Sequence, residues 1–233
     1  MQAGQYTERD AFSTVSKRYD ILNQVLSFGI DMYWRSILLR MMSPYINKGD
    51  VMLDLATGTF DIAKALVRRV DATVLAIDYS LQMLMEGTIK IQEHPNIIPI
   101  QADGRSIPLH DSSIDIITIS FGIRNIIPRS LVFHEWYRLL KKGKRFYMLE
   151  FCNPQEIAPL FKHIYVSYLS YVIPCIASLF GADKSMYEYL AQSIQAFPLC
   201  SEVQSELIQA GFVDVHYSQY SFGTVAIYTG IKA

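Results

Sequence analysis

The chain has 233 residues, a length that suits one domain with an elaborated surface. Its 21 Lys and Arg stand against 22 Asp and Glu, a formal charge of −1, so no basic field exists to hold phosphate backbones and nucleic acid is set aside as a partner. A hydrophobic fraction of 51% with 12% aromatics fits either a large core or an apolar ligand cavity.

Met1 to Asp10 carries Glu8 and Asp10 and no apolar stretch, unlike a secretory or transit segment, so a cytoplasmic location is expected. Residues up to Asp50 read as mostly helical. Val51 to Ala56 is a short apolar run ended by Thr57-Gly58-Thr59, and Asp61 to Val70 then has helical spacing: strand, tight turn, helix. Ala72 to Ile77 is a continuous strand that stops at Asp78, and Ser80 caps a helix running through Lys90. Asn96 to Ile100 and Ser113 to Phe121 are further strands, Ser130 to Leu140 a helix and Arg145 to Phe151 a strand. Such alternation predicts an α/β fold with a doubly wound, mostly parallel sheet.

Near the end, Val203 to Ala210 is a helix stopped by Gly211. Phe212 to Ser218 and Thr224 to Ile231 follow with too few residues between them for a crossover, so they form a terminal antiparallel hairpin. The organisation expected is one domain: a helical N-terminal lid over 1–50, a cofactor-binding core over 51–151, a helical substrate insertion over 152–198, and the last helix and hairpin over 199–233.

His163 to Ala182 carries no Asp, Glu, Lys or Arg, which raises a membrane span as an alternative. Its tyrosines and serines, with Pro174, favour a buried or lipid-facing helix pair. Cys152, Cys175 and Cys200 match neither a paired framework nor metal-ligand spacing and read as reduced core residues.

In an open α/β sheet ligands gather beyond the carboxyl ends of the strands. Gly58 and Thr59 lie in the first such turn, where free N–H groups face a ligand. Asp78 ends the second strand, where an acidic side chain can accept from ribose hydroxyls. Asp103-Gly104 follows the third strand and Ser120 ends the fourth, on the same rim. The turn lacks a full Gly-x-Gly-x-x-Gly fingerprint and the terminal hairpin is foreign to that fold, so S-adenosylmethionine (SAM) fits better than a nicotinamide cofactor.

These residues, with Tyr19-Asp20-Ile-Leu-Asn23, Leu26 to Gly29, Trp34, Leu53 to Thr59, Asp61, Ile119 to Asn125, Leu149-Glu150-Phe151, Tyr187 to Ile194 and Phe197-Pro198, resemble the menaquinone and ubiquinone biosynthesis C-methyltransferases. The resemblance covers nearly the whole chain, and Ser120 to Asn125 is its most specific part. It implies a seven-stranded, Rossmann-like class I SAM-methyltransferase fold. It also implies that Thr59, Asp78, Asp103, Gly104 and Ser120 contact SAM, and that catalytic Arg124 and Asn125 face a polyprenyl quinol.

Arg124 would then stabilise a phenolate and Asn125 hold its oxygen or a water. Tyr19, His163 or a water on Arg124 are the candidate bases, His163 reading otherwise as a paired core residue. Demethylmenaquinol is the favoured acceptor and a benzoquinol the alternative. The resemblance leaves open a homodimer and contact with the membrane surface, where the uncharged run would rest or would hold the isoprenoid tail.

The chain departs from the family at Phe60, where a glycine is usual, and this raises a catalytically impaired SAM- or quinone-binding protein as a rival. Lys142 and Lys144 replace a proline and a glycine, Arg105 stands where an acid is usual, and Tyr228 replaces a histidine. Other rivals are a methyltransferase acting on a small phenol or sterol, and a nicotinamide-dependent oxidoreductase.

Overall fold

The computed structural model describes residues 29–172, 175 and 184–233. Tyr19 to Phe28, and so the first quoted motif and one candidate base, lie outside the described residues. Seven strands form one sheet: β1 (Val51–Leu55), β2 (Thr73–Asp78), β3 (Ile97–Gln101), β4 (Ile114–Ser120), β5 (Leu140–Phe151), β6 (Phe212–Tyr220) and β7 (Val225–Lys232). The helices are α1 (Ile30–Met42), α2 (Asp61–Val67), α3 (Leu81–Gly87), α4 (Arg129–Leu139), α5 (Pro159–Ser167), α6 (Lys184–Ala196) and α7 (Cys200–Gln209).

Strand order is β3-β2-β1-β4-β5-β7-β6, with β7 antiparallel to both neighbours and every other pairing parallel. The order reverses between β1 and β4, which opens a crevice at their carboxyl ends. β4, flanked on both edges and covered on both faces, is buried along its length except at Ser120. That explains why its sequence is an unbroken β-branched run rather than an alternating one.

Alternate side chains feed two cores. Leu53, Leu55, Ile117 and Ile119 meet Phe133 and Trp136 of α4 and Val203 and Leu207 of α7 on one face. Met52, Val74, Ala76 and Ile116 meet Leu38 of α1, Ile62 and Leu66 of α2 and Leu84 of α3 on the other.

Several boundaries differ from those read in the sequence. β5 begins at Leu140, because Leu140 pairs with Ile114 ahead of an irregularity that lets Arg145 pair with Ile116. α7 begins at Cys200, where the Leu199 amide donates to Glu202 at 2.8 Å and fixes the first turn. α3 ends at Gly87 and a 3₁₀ turn continues to Lys90.

Cys152 and Cys200 are buried, whereas Cys175 is exposed and is no core residue. Among the described residues no helix is long and apolar enough to cross a membrane. The uncharged run opens in α5 and a π-helical turn over Tyr168–Val172; α5 itself has no buried residue, so it lies on the surface.

Phe60 adopts a left-handed backbone (φ 69°) at the start of α2, a conformation that suits glycine and strains other residues. Its ring is fully buried and lies against Gly87. A Cβ on Gly87 would stand 2.5 Å from Phe60 Cδ2 and 2.8 Å from Thr59 Cα. The ring therefore fills core space that only a glycine on α3 leaves open. Gly87→Ala is expected to cost about 1–3 kcal/mol through overpacking, at roughly 2–4 °C of melting temperature per kcal/mol in a domain of this size. Thermal denaturation of Gly87→Ala, alone and with Phe60→Gly, checks the coupling: the cost should shrink once the ring is gone.

Candidate functional site

The turn after β1 is held open from beneath. Ala56 and Gly58 both have positive φ, and the Thr57 amide donates to the Ile77 carbonyl at 3.0 Å. The Gly58 amide donates to Asp78 Oδ2 at 2.8 Å, and the Ser80 amide to Asp78 Oδ1 at 2.9 Å. One carboxylate thus ties the β1 turn to the end of β2 and retains lone pairs for a ligand. Burial pushes the Asp78 carboxyl above the usual carboxylate range, against the amides that favour its charged form.

Below the turn, Asp54 accepts from Thr57 Oγ1 at 2.6 Å, and burial pushes its carboxyl up to about 7.

The other rim residues gather around this turn. Asp103 follows β3 and is grasped by Arg105, whose Nη2 donates to Oδ2 at 2.6 Å and whose Nε reaches both oxygens; these bonds hold its carboxyl low. Arg105 Nη1 also donates to the Ile127 carbonyl at 2.7 Å, so it fastens the β3 loop to the loop after β4. Gly104 lies beneath, where an added Cβ would come within 3.1 Å of Leu55. Ser120 Oγ at the end of β4 is buried and makes no hydrogen bond to the described residues. A Cβ on Gly122 would stand 2.5 Å from Ala56 Cβ, so the loops after β1 and β4 touch.

Arg124 and Asn125 sit in the 3₁₀ turn Ile123–Asn125. Arg124 Nη1 donates to Glu150 Oε1 at 3.0 Å, with side-chain exposures of 7% and 0%, and its guanidinium lies 5.5 Å from the centre of the Phe151 ring. Nη1 also donates to the Phe121 carbonyl. Arg124, expected to stabilise a phenolate, is therefore a cation already paired with a carboxylate. Its Nε is buried and without a hydrogen-bond partner among the described residues.

Asn125 Oδ1 accepts from the Tyr189 hydroxyl at 3.2 Å, which brings α6 to the loop after β4. His163 is exposed on α5 instead of paired in the core, and an imidazole in water makes a poor base for a buried site.

Sequence reasoning missed five contributors. Glu150 was quoted within a motif without a role, and Tyr189 likewise lay unremarked in the α6 motif. Tyr165 of α5 has a buried hydroxyl without a hydrogen-bond partner among the described residues; burial, Cys152 and Glu150 push its phenol up while Arg124 opposes them, which keeps it protonated. Arg35 of α1 reaches Asp61 at 3.5 Å and its charge acts on Asp54. Arg35 Nε is buried without a good hydrogen bond. Lys90 joins the same corner, donating to Thr59 Oγ1 at 2.8 Å and Asp61 Oδ1 at 3.0 Å.

α1 closes the crevice as an aromatic cover. The Trp34 ring centre is 6.0 Å from that of Phe121 and 6.2 Å from that of Phe151, which are themselves 4.7 Å apart. Trp34 Nε1 donates to Ser221 Oγ at 2.9 Å, anchoring α1 to the turn before β7.

A model of the ubiE/COQ5 methyltransferase family matches residues 1–232. A protein of Geotalea daltonii named ubiquinone/menaquinone biosynthesis C-methyltransferase UbiE is 38% identical over 229 residues, covering 96% of this chain and 95% of its own. The protein of the same name in Escherichia coli is 35% identical over 226 residues, covering 95% and 88%. Among solved structures, a SAM-dependent methyltransferase from Thermotoga maritima superposes with a TM-score of 0.67 at 14% identity, covering 97% of this chain and 99% of its own. A phosphoethanolamine N-methyltransferase from Haemonchus contortus bound to SAM gives 0.64 at 12% identity, covering 94% and 60%. These last two share the fold.

The raised Asp54 carboxyl carries a pH signature. In the folded chain it stays protonated up to about 7, whereas in the unfolded chain it ionises near 3.8, so its contribution to stability is lost as pH rises across that window and is level above it. Melting temperatures of the wild type and Asp54→Asn, measured from pH 4 to 8, should diverge in the variant's favour up to about pH 7 and then run parallel.

Proposed function

The chain belongs to the ubiE/COQ5 methyltransferase family, and from that premise we propose that it carries a methyl group from SAM to a ring carbon of a polyprenyl quinol, with demethylmenaquinol as the acceptor. The observation that carries this reading is the buried Arg124–Glu150 pair beside Asn125, at the carboxyl ends of β4 and β5. SAM, when bound, supplies an electrophilic methyl group.

The residues present fit that donor. Asp78 offers carboxylate lone pairs at the end of β2, and Ser120 Oγ is a buried polar atom without a partner among the described residues. Gly58 presents backbone at the β1 turn, and Arg35 and Lys90 bring positive charge to the same corner for a carboxylate. Thr59 and Gly104 complete the rim, with Asp103 already held by Arg105. Phe60, whose ring lies in the core against Gly87, leaves the crevice open. An active enzyme is therefore a better reading than an impaired binder.

Transfer to an aromatic carbon needs an electron-rich ring, so the acceptor is the reduced quinol. Arg124 Nε would donate to a quinol oxygen and Asn125, oriented by Tyr189, would hold that oxygen or a water. Because Glu150 neutralises Arg124, the pair offers a directed dipole in place of a net charge, and it need not reorganise as the ring oxygen gains charge.

The exposed Leu160 and Ile164 of α5, with Phe161 stacked on Phe222 at 4.2 Å, give an apolar face along which the isoprenoid tail would leave.

Labelled SAM with chemically reduced, short-tailed demethylmenaquinol tests the reading, with the oxidised quinone and a demethylated benzoquinol in parallel. Transfer to the naphthoquinol alone is expected; transfer confined to the benzoquinol would reassign the ring, and no transfer despite SAM binding would overturn the reading. Arg124→Gln/Glu150→Gln, which avoids leaving a buried charge unpaired, should lose roughly 10²–10³-fold in kcat. A second series varies the tail: Leu160→Ser/Ile164→Ser should raise KM for a long-tailed acceptor and leave that for a short-tailed one unchanged.

A further inference from the structure

Cys152 and Cys200 stand 48 residues apart in sequence, at the two ends of the segment inserted between β5 and α7, yet their sulfurs lie 3.5 Å apart in the core. Glu156, in the turn after β5, brings a carboxylate oxygen to the same point, and the three ligand atoms all lie within 4.8 Å of one another. Both cysteines are fully buried, while Glu156 is half-buried and leads to the surface.

Tyr228, also fully buried, places its hydroxyl against the Cys200 sulfur, a weak partner, and has no other hydrogen bond among the described residues. A buried hydroxyl left without a partner costs about 1–3 kcal/mol unless something else satisfies it. It is also one of the positions at which the chain departs from its family's pattern.

The spacing of the sulfurs excludes a disulfide and suits both a thiol–thiol hydrogen bond and two ligands of one cation. A disulfide needs sulfurs about 2.05 Å apart. Two thiolates on one tetrahedral Zn²⁺, each at about 2.3 Å, stand roughly 3.7–3.8 Å apart. The observed 3.5 Å is close to the second and far from the first.

We propose that Cys152, Cys200 and Glu156 form a binding site for a thiophilic divalent cation of the Zn²⁺ class, with the fourth position beside Tyr228. On binding, each thiol releases its proton to solvent and gives a sulfur electron pair to the cation, and no electron transfer is involved. Two thiolates and a carboxylate around a dication leave one excess negative charge. The amino end of α7, which begins at Cys200 and whose Cys200 amide donates to Glu156 Oε2 at 2.9 Å, faces that charge favourably. The cation would fasten both ends of the segment that carries Tyr165 and Tyr189 into the crevice. This inference stands independently of the quinol assignment.

The test uses the full chain, purified without chelators for metal analysis and then stripped and titrated with Co²⁺. About one Co²⁺ per chain is expected, with intense thiolate-to-cobalt charge-transfer absorption that Zn²⁺ abolishes by displacement. Cys200→Ser and Glu156→Gln, shown folded by circular dichroism, should lose or weaken that band, and Cys175→Ser should keep it. Absence of the band in the wild type would overturn the proposal, as would a band that survives in folded Cys200→Ser or disappears in Cys175→Ser.

Discussion

The buried ion pair between Arg124 and Glu150 constrains the crevice more than any other contact. Two opposite charges without solvent are tolerable only if their hydrogen bonds are satisfied, and removing either partner alone would typically cost about 3–5 kcal/mol. The requirement fixes the backbone around them. Glu150 Oε1 accepts from Arg124 Nη1 and from the Phe151 amide, Oε2 accepts from the Arg124 amide at 3.3 Å, and Arg124 reaches back to the Phe121 carbonyl. The ends of β4 and β5 are thereby locked together, one strand from the β1–β4 point where the sheet order reverses. Asn125 follows Arg124 directly, and the Phe151 ring that packs against Trp34 of α1 also lies against the Arg124 guanidinium.

The departures from the family's pattern fall into different physical classes. Phe60 keeps a backbone geometry suited to glycine, and a glycine on α3 makes room for its ring. Arg105 closes on Asp103 and spans two loops at the crevice mouth, so a ligand group meant for Asp103 meets a carboxylate that already has a partner. Lys144 pairs with Asp115 at 3.0 Å, at the amino ends of the strands and remote from the crevice. Tyr228 lines the Cys152–Cys200–Glu156 cluster. The chain is a SAM-dependent methyltransferase of the ubiE/COQ5 family whose distinctive residues lie in the core, at the crevice mouth, around that cluster and at the amino ends of the strands.

The two elaborations meet the sheet at the same end and both reach the residues at the ends of β4 and β5. α1 contributes Trp34 and Arg35, a cover and a positive charge. The segment after β5 contributes the phenols of Tyr165 and Tyr189. The sheet offers mainly backbone and short polar side chains, which suit a common cofactor, whereas the elaborations supply bulk and aromatic donors, which suit a particular acceptor.

The sequence by itself determined the order of strands and helices, the parallel sheet and the closing hairpin, because hydrophobic period and connection length are local properties that few topologies satisfy. It also located the rim residues, since a site at the carboxyl ends of strands is marked wherever a strand stops at a polar residue. Tertiary structure decided what those residues are bonded to. That Arg124 is neutralised by Glu150, that Asp103 is held by Arg105, that His163 faces solvent and that two distant cysteines touch all depend on long-range packing. A side chain's charge and reactivity follow from its neighbours in space, and no local pattern encodes a neighbour 48 residues away.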